Sequence, residues 1–478
     1  MAATDSNFSI KVLVKSIDQC ALKFNLVVAD DKDALHALQV LSATEAPLVC
    51  EELCLVAKAS LAILYEEGWT VLKNSRELVT QLGAEIFAFL SQVLPVLPVD
   101  TYTNQYCMIA YMLAQCHMRA IGTARHYREG IRLLTLAAEH GHAPAQYKMG
   151  DCFYFGHGVT KDLIKAAEYY TKAAYQDHCW AQYKMAERFF AGEGVAKDFG
   201  KGVEWLRKAA DQGHTWAQYK LGERYCKGEG VDKDVNKAID WYIKAADRNH
   251  VWAQTKLGDF YCKGLEGTEN DFCKAAEWYA KAAQQDHVWA QNSLGDCYCN
   301  GEGVIKDVAK GFMLYTKAAN QGHTWTQYKL AECYYEGNGV KKDVSKAVEW
   351  FNKAAVQGHA WAQYKLGEQY CKGEGVEMDV DKAVEWYTKS ASQGHSWAQY
   401  KLGDLYYRGT SITKDLDKAL NLYIKAADQG HAWAQSSLGR CYEKGEGILA
   451  NVAEAKKWYA KAAEQGRVDA QYALARLK

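Results

Sequence analysis

A chain of 478 residues with 49% hydrophobic and 24% charged side chains can bury a sizeable core, and its 4 prolines leave room for uninterrupted helices. Lys+Arg 57 against Asp+Glu 58 gives a net charge of −1, which excludes a global attraction for nucleic acid or an anionic membrane surface. Fifteen cysteines, an odd number scattered along the chain, fit reduced thiols in a cytoplasmic or nuclear setting and argue against secretion on a disulfide framework.

The first 105 residues open on Met1-Ala-Ala-Thr-Asp-Ser-Asn, which lacks the basic start and apolar core of a signal peptide. Helical periodicity runs near Ile10–Val28, Asp33–Leu41, Leu48–Leu72 and Ser75–Val93 and stops at Pro95 and Pro98, so 1–105 reads as an N-terminal helical module or cap. Residues 1–100 carry 7 basic and 13 acidic side chains, leaving a mildly basic remainder. The uncharged run from Thr101 to Met118 contains Asn104, Gln105, Gln115 and His117, which makes it an amphipathic helix and predicts no membrane insertion.

From there one unit repeats. A marker His recurs at 142, 178, 214, 250, 287, 323, 359, 395 and 431, at steps of 36 apart from one step of 37 where the loop Gly264-Leu-Glu-Gly267 has gained a residue. With that His as position 1, nine clear units span 142–466, a worn tenth occupies 106–141, and a half-unit, 467–478, ends the chain. A fixed period of this size belongs to stacked supersecondary units in which each contacts only its neighbours. Within a unit, 3.6-residue apolar periodicity appears twice, broken by strings such as Gly228-Glu-Gly-Val-Asp-Lys-Asp234. This is helix, loop, helix. Thr215-x-x-Gln218, Thr324-x-x-Gln327 and Ser396-x-x-Gln399 have capping-box spacing for the first helix, and Asp234 and Asp343 are placed to cap the second. On a helical wheel, positions 4, 5, 8, 9, 11 and 12 form a core arc of Ala, Gln, Leu and Gly, while 3, 6, 7, 10, 13 and 14 lie opposite.

The pattern Ala-Gln-x-x-Leu-Gly-x-x-Tyr-x-x-Gly-x-Gly-Val-x-x-Asp-x-x-Lys-Ala-x-x-Trp-Tyr-x-Lys-Ala-Ala, standing from Ala217 to Ala246, resembles the Sel-one-like repeat, a relative of the tetratricopeptide repeat. The resemblance covers roughly 106–478. It implies an all-α fold, a right-handed α/α superhelix of about ten 36-residue helix-turn-helix repeats, whose concave surface is lined by the first helix of each unit. It also implies an adaptor that binds other proteins. Secreted cysteine-rich relatives pair two cysteines inside every unit, and no such recurring pair stands here.

The sharpest chemical signal is Trp at position 3 in eight units: 180, 216, 252, 289, 325, 361, 397 and 433. These lie on the arc opposite the core, so the ladder either packs sideways on neighbouring units or forms a covered binding face. Beside them on that arc are Tyr219, Glu223, Tyr328, Tyr364 and Glu368. The candidate ligand-binding set is therefore Trp180, Trp216, Tyr219, Glu223, Trp252, Trp289, Trp325, Tyr328, Trp361, Tyr364, Glu368 and Trp397. The nine His are ladder-spaced at roughly a helix-packing distance of ~8–10 Å, far beyond the ~2 Å zinc needs, so no metal is expected and each His reads as a staple to Tyr at position 6. Gly-Glu-Gly-Val lacks the Lys-Ser/Thr ending of a phosphate loop, and no nucleophile set stands out from the repeat background. The reading is a non-enzymatic scaffold binding a protein or peptide, with no catalytic residue, no cofactor and no nucleic-acid partner. The competing readings are a carbohydrate-binding solenoid using the Trp and Tyr rows and a hydrolase-type enzyme.

Overall fold

The computed structural model describes residues 104–120, 123–264, 270–409 and 412–477, together with 87, 88 and 91. Most of the expected N-terminal module and the loop residues 265–269 and 410–411 lie outside the described residues. Among those described there are 21 helices and no strand. The worn unit is α1 (Asn104–Arg119) and α2 (Tyr127–Glu139). Pairs follow as α3 (Ala143–Phe155) with α4 (Leu163–Ala174), α5 (Cys179–Ala191) with α6 (Phe199–Asp211), and α7 (Thr215–Lys227) with α8 (Val235–Asp247). Next come α9 (Val251–Lys263) with α10 (Phe272–Gln284), α11 (Val288–Asn300) with α12 (Val308–Asn320), and α13 (Thr324–Glu336) with α14 (Val344–Val356). The last pairs are α15 (Ala360–Lys372) with α16 (Val380–Ser392), α17 (Ser396–Arg408) with α18 (Leu416–Asp428), and α19 (Ala432–Lys444) with α20 (Val452–Glu464), before the single α21 (Val468–Arg476).

Residues through Ala253 and residues from Gln254 onward form two compact units. In the first, consecutive helices from α1 to α8 pack on one another, around Ile109, Leu133, Leu134 and Met149 at one end and Tyr170 and Met185 further along. In the second, α10 to α21 stack in the same neighbour-to-neighbour order around Tyr328, Phe351 and Leu366 and then Tyr423, Leu438 and Cys441.

The second helices start as expected, with Asp234 and Asp343 each accepting from a backbone N–H of the first turn at 3.0 Å. The first helices do not use the expected capping boxes. Their N-cap is the marker His, whose Nδ1 in most units accepts from the amide of the third helical residue, at 3.1 Å for His214 and Ala217, whereas His287 and His323 meet Thr255 and Thr326 hydroxyls instead. Thr215 and Ser396 are already helical, one position too late to cap. The Gln of each supposed box serves the neighbour instead. Gln399 Nε2 donates to the Ala391 carbonyl at 3.2 Å, and Gln399 Oε1 accepts from Gln429 Nε2 at 2.8 Å. This arrangement recurs at Gln146 and Gln327, and it adds a second donor to a carbonyl at the end of the preceding second helix that already accepts from the glycine N–H three residues on.

Glycine sets the closest approach between the two helices of a unit. A Cβ on Gly222 would stand 2.8 Å from the Tyr242 ring, and one on Gly367 2.7 Å from Tyr387. Where position 9 is Ala instead, the opposing residue has lost its hydroxyl: Ala186 goes with Leu206 and Ala331 with Phe351. In several units with Gly the tyrosine is anchored, as Tyr279 OH donates to Asp259 at 2.9 Å and Tyr170 OH to Asp151 at 2.8 Å, whereas the Tyr423 hydroxyl beside Gly403 is buried without a partner.

Candidate partner-binding face

Trp stands at position 3 of eight first helices, Tyr at position 6 and Glu at position 10 of several, and the next unit's His meets the two rings where both are present. His214 stacks on Tyr183 of the preceding unit with ring centres 5.0 Å apart and stands edge-on to Trp180 at 4.3 Å. His250 does the same to Tyr219 and Trp216 at 4.9 and 4.6 Å, and His395 to Tyr364 and Trp361 at 5.1 and 4.3 Å. The expected staple between His and Tyr therefore forms across units, not within one. Because Nδ1 is engaged as an acceptor, the neutral ring carries its proton on Nε2, and in His214, His250 and His431 that nitrogen is buried without a hydrogen-bond partner. Burial holds all three imidazoles at about 4, well below the usual 6.5.

The Trp row is half open. Trp180, Trp216, Trp252, Trp289, Trp325, Trp361, Trp397 and Trp433 are 37% to 54% exposed, so each packs one side on its surroundings and turns the other outward. The Tyr row is placed differently from the wheel's expectation: Tyr219, Tyr328 and Tyr364 are 5% to 7% exposed, covered by the following His and by the second helix. An isolated wheel assigns one buried side, whereas a first helix in a stack also has the next unit against it. The Glu row links ring and lysine. Glu223 accepts from Tyr219 OH at 3.2 Å and from Lys220 Nζ at 2.7 Å, and Glu368 from Lys365 Nζ at 3.3 Å.

Two sets of residues depart from their columns and were missed when the repeats were read as copies. Position 11 is Arg in only two adjacent units, at 188 and 224. Their guanidiniums lie over Tyr154 and Phe190 at 4.0 and 3.9 Å, beside a cleft of about 420 Å³. Glu193 pairs with Arg188 at 2.7 Å, and Glu229 pairs with Arg224, so the charge of the cleft is internally balanced. The second set centres on α11, where Asn292 and Ser293 replace Tyr and Lys. Here Asn292 Oδ1 accepts from Thr326 Oγ1 at 3.0 Å, no tyrosine stacks on His323, and Trp289 is the most exposed of the row at 54%. A column-by-column comparison of the repeats would have found both sets.

Among the described residues no group of three or more His, Cys, Asp or Glu is placed to hold a metal ion, and no helix is long and apolar enough to cross a membrane. The twelve described cysteines are free.

These features define an all-α repeat solenoid, built from about ten helix-turn-helix units. The family model of the Sel1 repeat matches residues 110–142, 143–178, 181–214, 217–250, 253–287, 290–323, 326–359, 362–395, 398–431 and 434–466, and the chain belongs to that family. The crystal structure of a protective antigen of uropathogenic Escherichia coli displaying an SLR fold is similar at 33% identity, with 82% of each chain covered and a TM-score of 0.73. A Sel1 repeat protein from Oxalobacter formigenes is similar at 30% identity over 65% of this chain and 90% of its own, with a TM-score of 0.55. No curated protein gives a significant match.

Proposed function

We propose that the chain is a non-enzymatic interaction scaffold, and that a protein or peptide partner lies along the face carrying the position-3 tryptophans. The observation that carries this reading is the half-exposed Trp row. The five tryptophans after residue 254 leave on the order of 500 Å² of aromatic surface open, taking roughly 100 Å² each, as much as the largest patch of an ordinary monomer. Packing between units accounts for the covered half of the rings, through the His edge or, at Trp433, through Arg467, but not for the open half. Aromatic anchors held rigidly from beneath are what binding hot spots use. Supporting the intracellular setting, the cysteines recur at scattered positions and the described ones stand as free thiols, many of them buried.

The test is affinity purification with mass spectrometry from cells expressing either the wild type or Trp289→Ala/Trp325→Ala, followed by direct titration of the purified partner. The expected result is a partner bound by the wild type and weakened at least tenfold by the variant. A partner bound equally by both would overturn the assignment of this face.

A further inference from the structure

The lysine and carboxylate columns of this face pair in a fixed register, and at one place the register slips. In five units Lys at position 7 reaches the acid at position 10 of its own helix: Lys148 to Asp151 at 3.5 Å, Lys184 to Glu187 at 2.9 Å, Lys220 to Glu223 at 2.7 Å, Lys256 to Asp259 at 3.8 Å and Lys365 to Glu368 at 3.3 Å. On α11 position 7 is Ser293, too short to reach Asp296. Lys329 of α13 turns back and takes Asp296 at 2.5 Å instead. Glu332, the acid Lys329 would otherwise pair with, is left with the Tyr328 hydroxyl at 2.5 Å and no ion pair among the described residues. One turn further along α13 stands Glu336, in a column that reads Lys227, Lys263, Lys372, Arg408 and Lys444 in other units. Its carboxylate is exposed and accepts from the Asn338 amide at 2.6 Å. The face is thus charge-balanced along most of its length and carries two uncompensated carboxylates on α13. Burial and the neighbouring Glu336 push the Glu332 carboxyl above its usual range, with Lys365 and Lys329 already committed to Glu368 and Asp296.

We propose that the Glu332–Glu336 pair receives an arginine or lysine side chain of a bound segment that contacts Trp325 and runs along α13, and so sets the register of that segment. This rests on the Trp face being the partner-binding face. Charge complementarity selects the occupant. An anionic or neutral residue would leave two facing carboxylates partly desolvated, whereas a guanidinium or ammonium neutralises them. The molecule contains its own example of such chemistry on this row. In the terminal half-unit Arg467 replaces the marker His, lies over the Trp433 ring at 3.4 Å and is held by Asp469 at 2.5 Å. Spacing makes the proposal sharper. Trp325 and Glu332 are seven residues apart on one helix, about 10 Å at ~1.5 Å per residue. An extended ligand covers that in about three residues at ~3.3 Å each. The bound segment should therefore carry a basic residue about three positions from the residue that contacts Trp325.

A library of random twelve-residue peptides, panned on the full-length chain and followed by anisotropy titration of the selected synthetic peptides, tests this. The expected outcome is enrichment of Arg or Lys three or four positions from an aromatic or large aliphatic residue. Binding of those peptides should fall at least tenfold in Glu332→Gln/Glu336→Gln, which keeps the shape and the Tyr328 contact. Ser293→Lys should weaken it too, because a lysine there pairs with Asp296 and releases Lys329 to Glu332. Circular dichroism on each variant checks that it folds. Selected peptides that depend on Trp289 and Trp325 but lack the basic residue, or that bind Glu332→Gln/Glu336→Gln as well as wild type, would overturn this inference and leave the Trp face standing. Absence of any Trp-dependent peptide would overturn the face itself, and the register site with it.

Discussion

Replacing His214 and His250 together by Asn should remove a defined part of the acid sensitivity of this fold. Both imidazoles are buried, cap a helix through Nδ1, and are held at about 4 against 6.5 for an ordinary His. As pH falls through 6.5 the unfolded chain takes up these protons and the folded chain does not, so stability declines until about pH 4, below which both states are protonated. The contribution is therefore present in full above 6.5 and lost across that window. Each such His accounts for about 3 kcal/mol over the whole window at ~1.4 kcal/mol per pH unit, and for about 2 kcal/mol between pH 7 and pH 5. Asn is a good N-cap and does not titrate. The double variant starts less stable at pH 7, having lost two stacks on Tyr183 and Tyr219. Its further loss between pH 7 and pH 5 should nevertheless be smaller than that of the wild type by about 4 kcal/mol, the sum for two His. Urea unfolding followed by circular dichroism at both pH values measures the difference. Equal pH-dependent losses in the two proteins would refute the reasoning, because the two imidazoles would then not be what burial holds neutral.

Gly222→Ala should destabilise by about 1–3 kcal/mol, since its Cβ would lie 2.8 Å from the Tyr242 ring, and adding Tyr242→Leu should recover part of that loss in thermal melts, as the natural Ala186 and Leu206 pair does. Trp289→Ala/Trp325→Ala should cost stability as well as binding, about 2.5 kcal/mol per site at ~25 cal/mol per Å² over roughly 100 Å² of covered ring, because each Trp also meets the next His. The partner-binding loss, at about 2 kcal/mol or more, should persist at temperatures where the variant is fully helical. Ser293→Lys should leave melting nearly unchanged while weakening basic peptides, which a paired melt and titration would check.

Much of the fold was legible in the sequence because a repeat makes every local rule visible many times over. The 36-residue step, the Asp caps at 234 and 343 and the Gly-x-Gly reversals at Gly228 and Gly230 are local features, settled by backbone conformations and hydrogen bonds within a few residues. The Trp row was legible for the same reason: it forms one column of identical residues. What lay beyond the sequence were the contacts between units. The wheel placed Tyr219 and Tyr364 on an open side, yet the following His and the second helix cover them. Caps assigned to Thr215 and Ser396 belong to His214 and His395, because a ring nitrogen one residue earlier already accepts the free amide. The slip of Lys329 from Glu332 to Asp296 joins residues 33 apart, and no helical spacing rule reaches that far. Periodicity determines what each unit is, while the packing of one unit on the next decides which of its side chains still face outward.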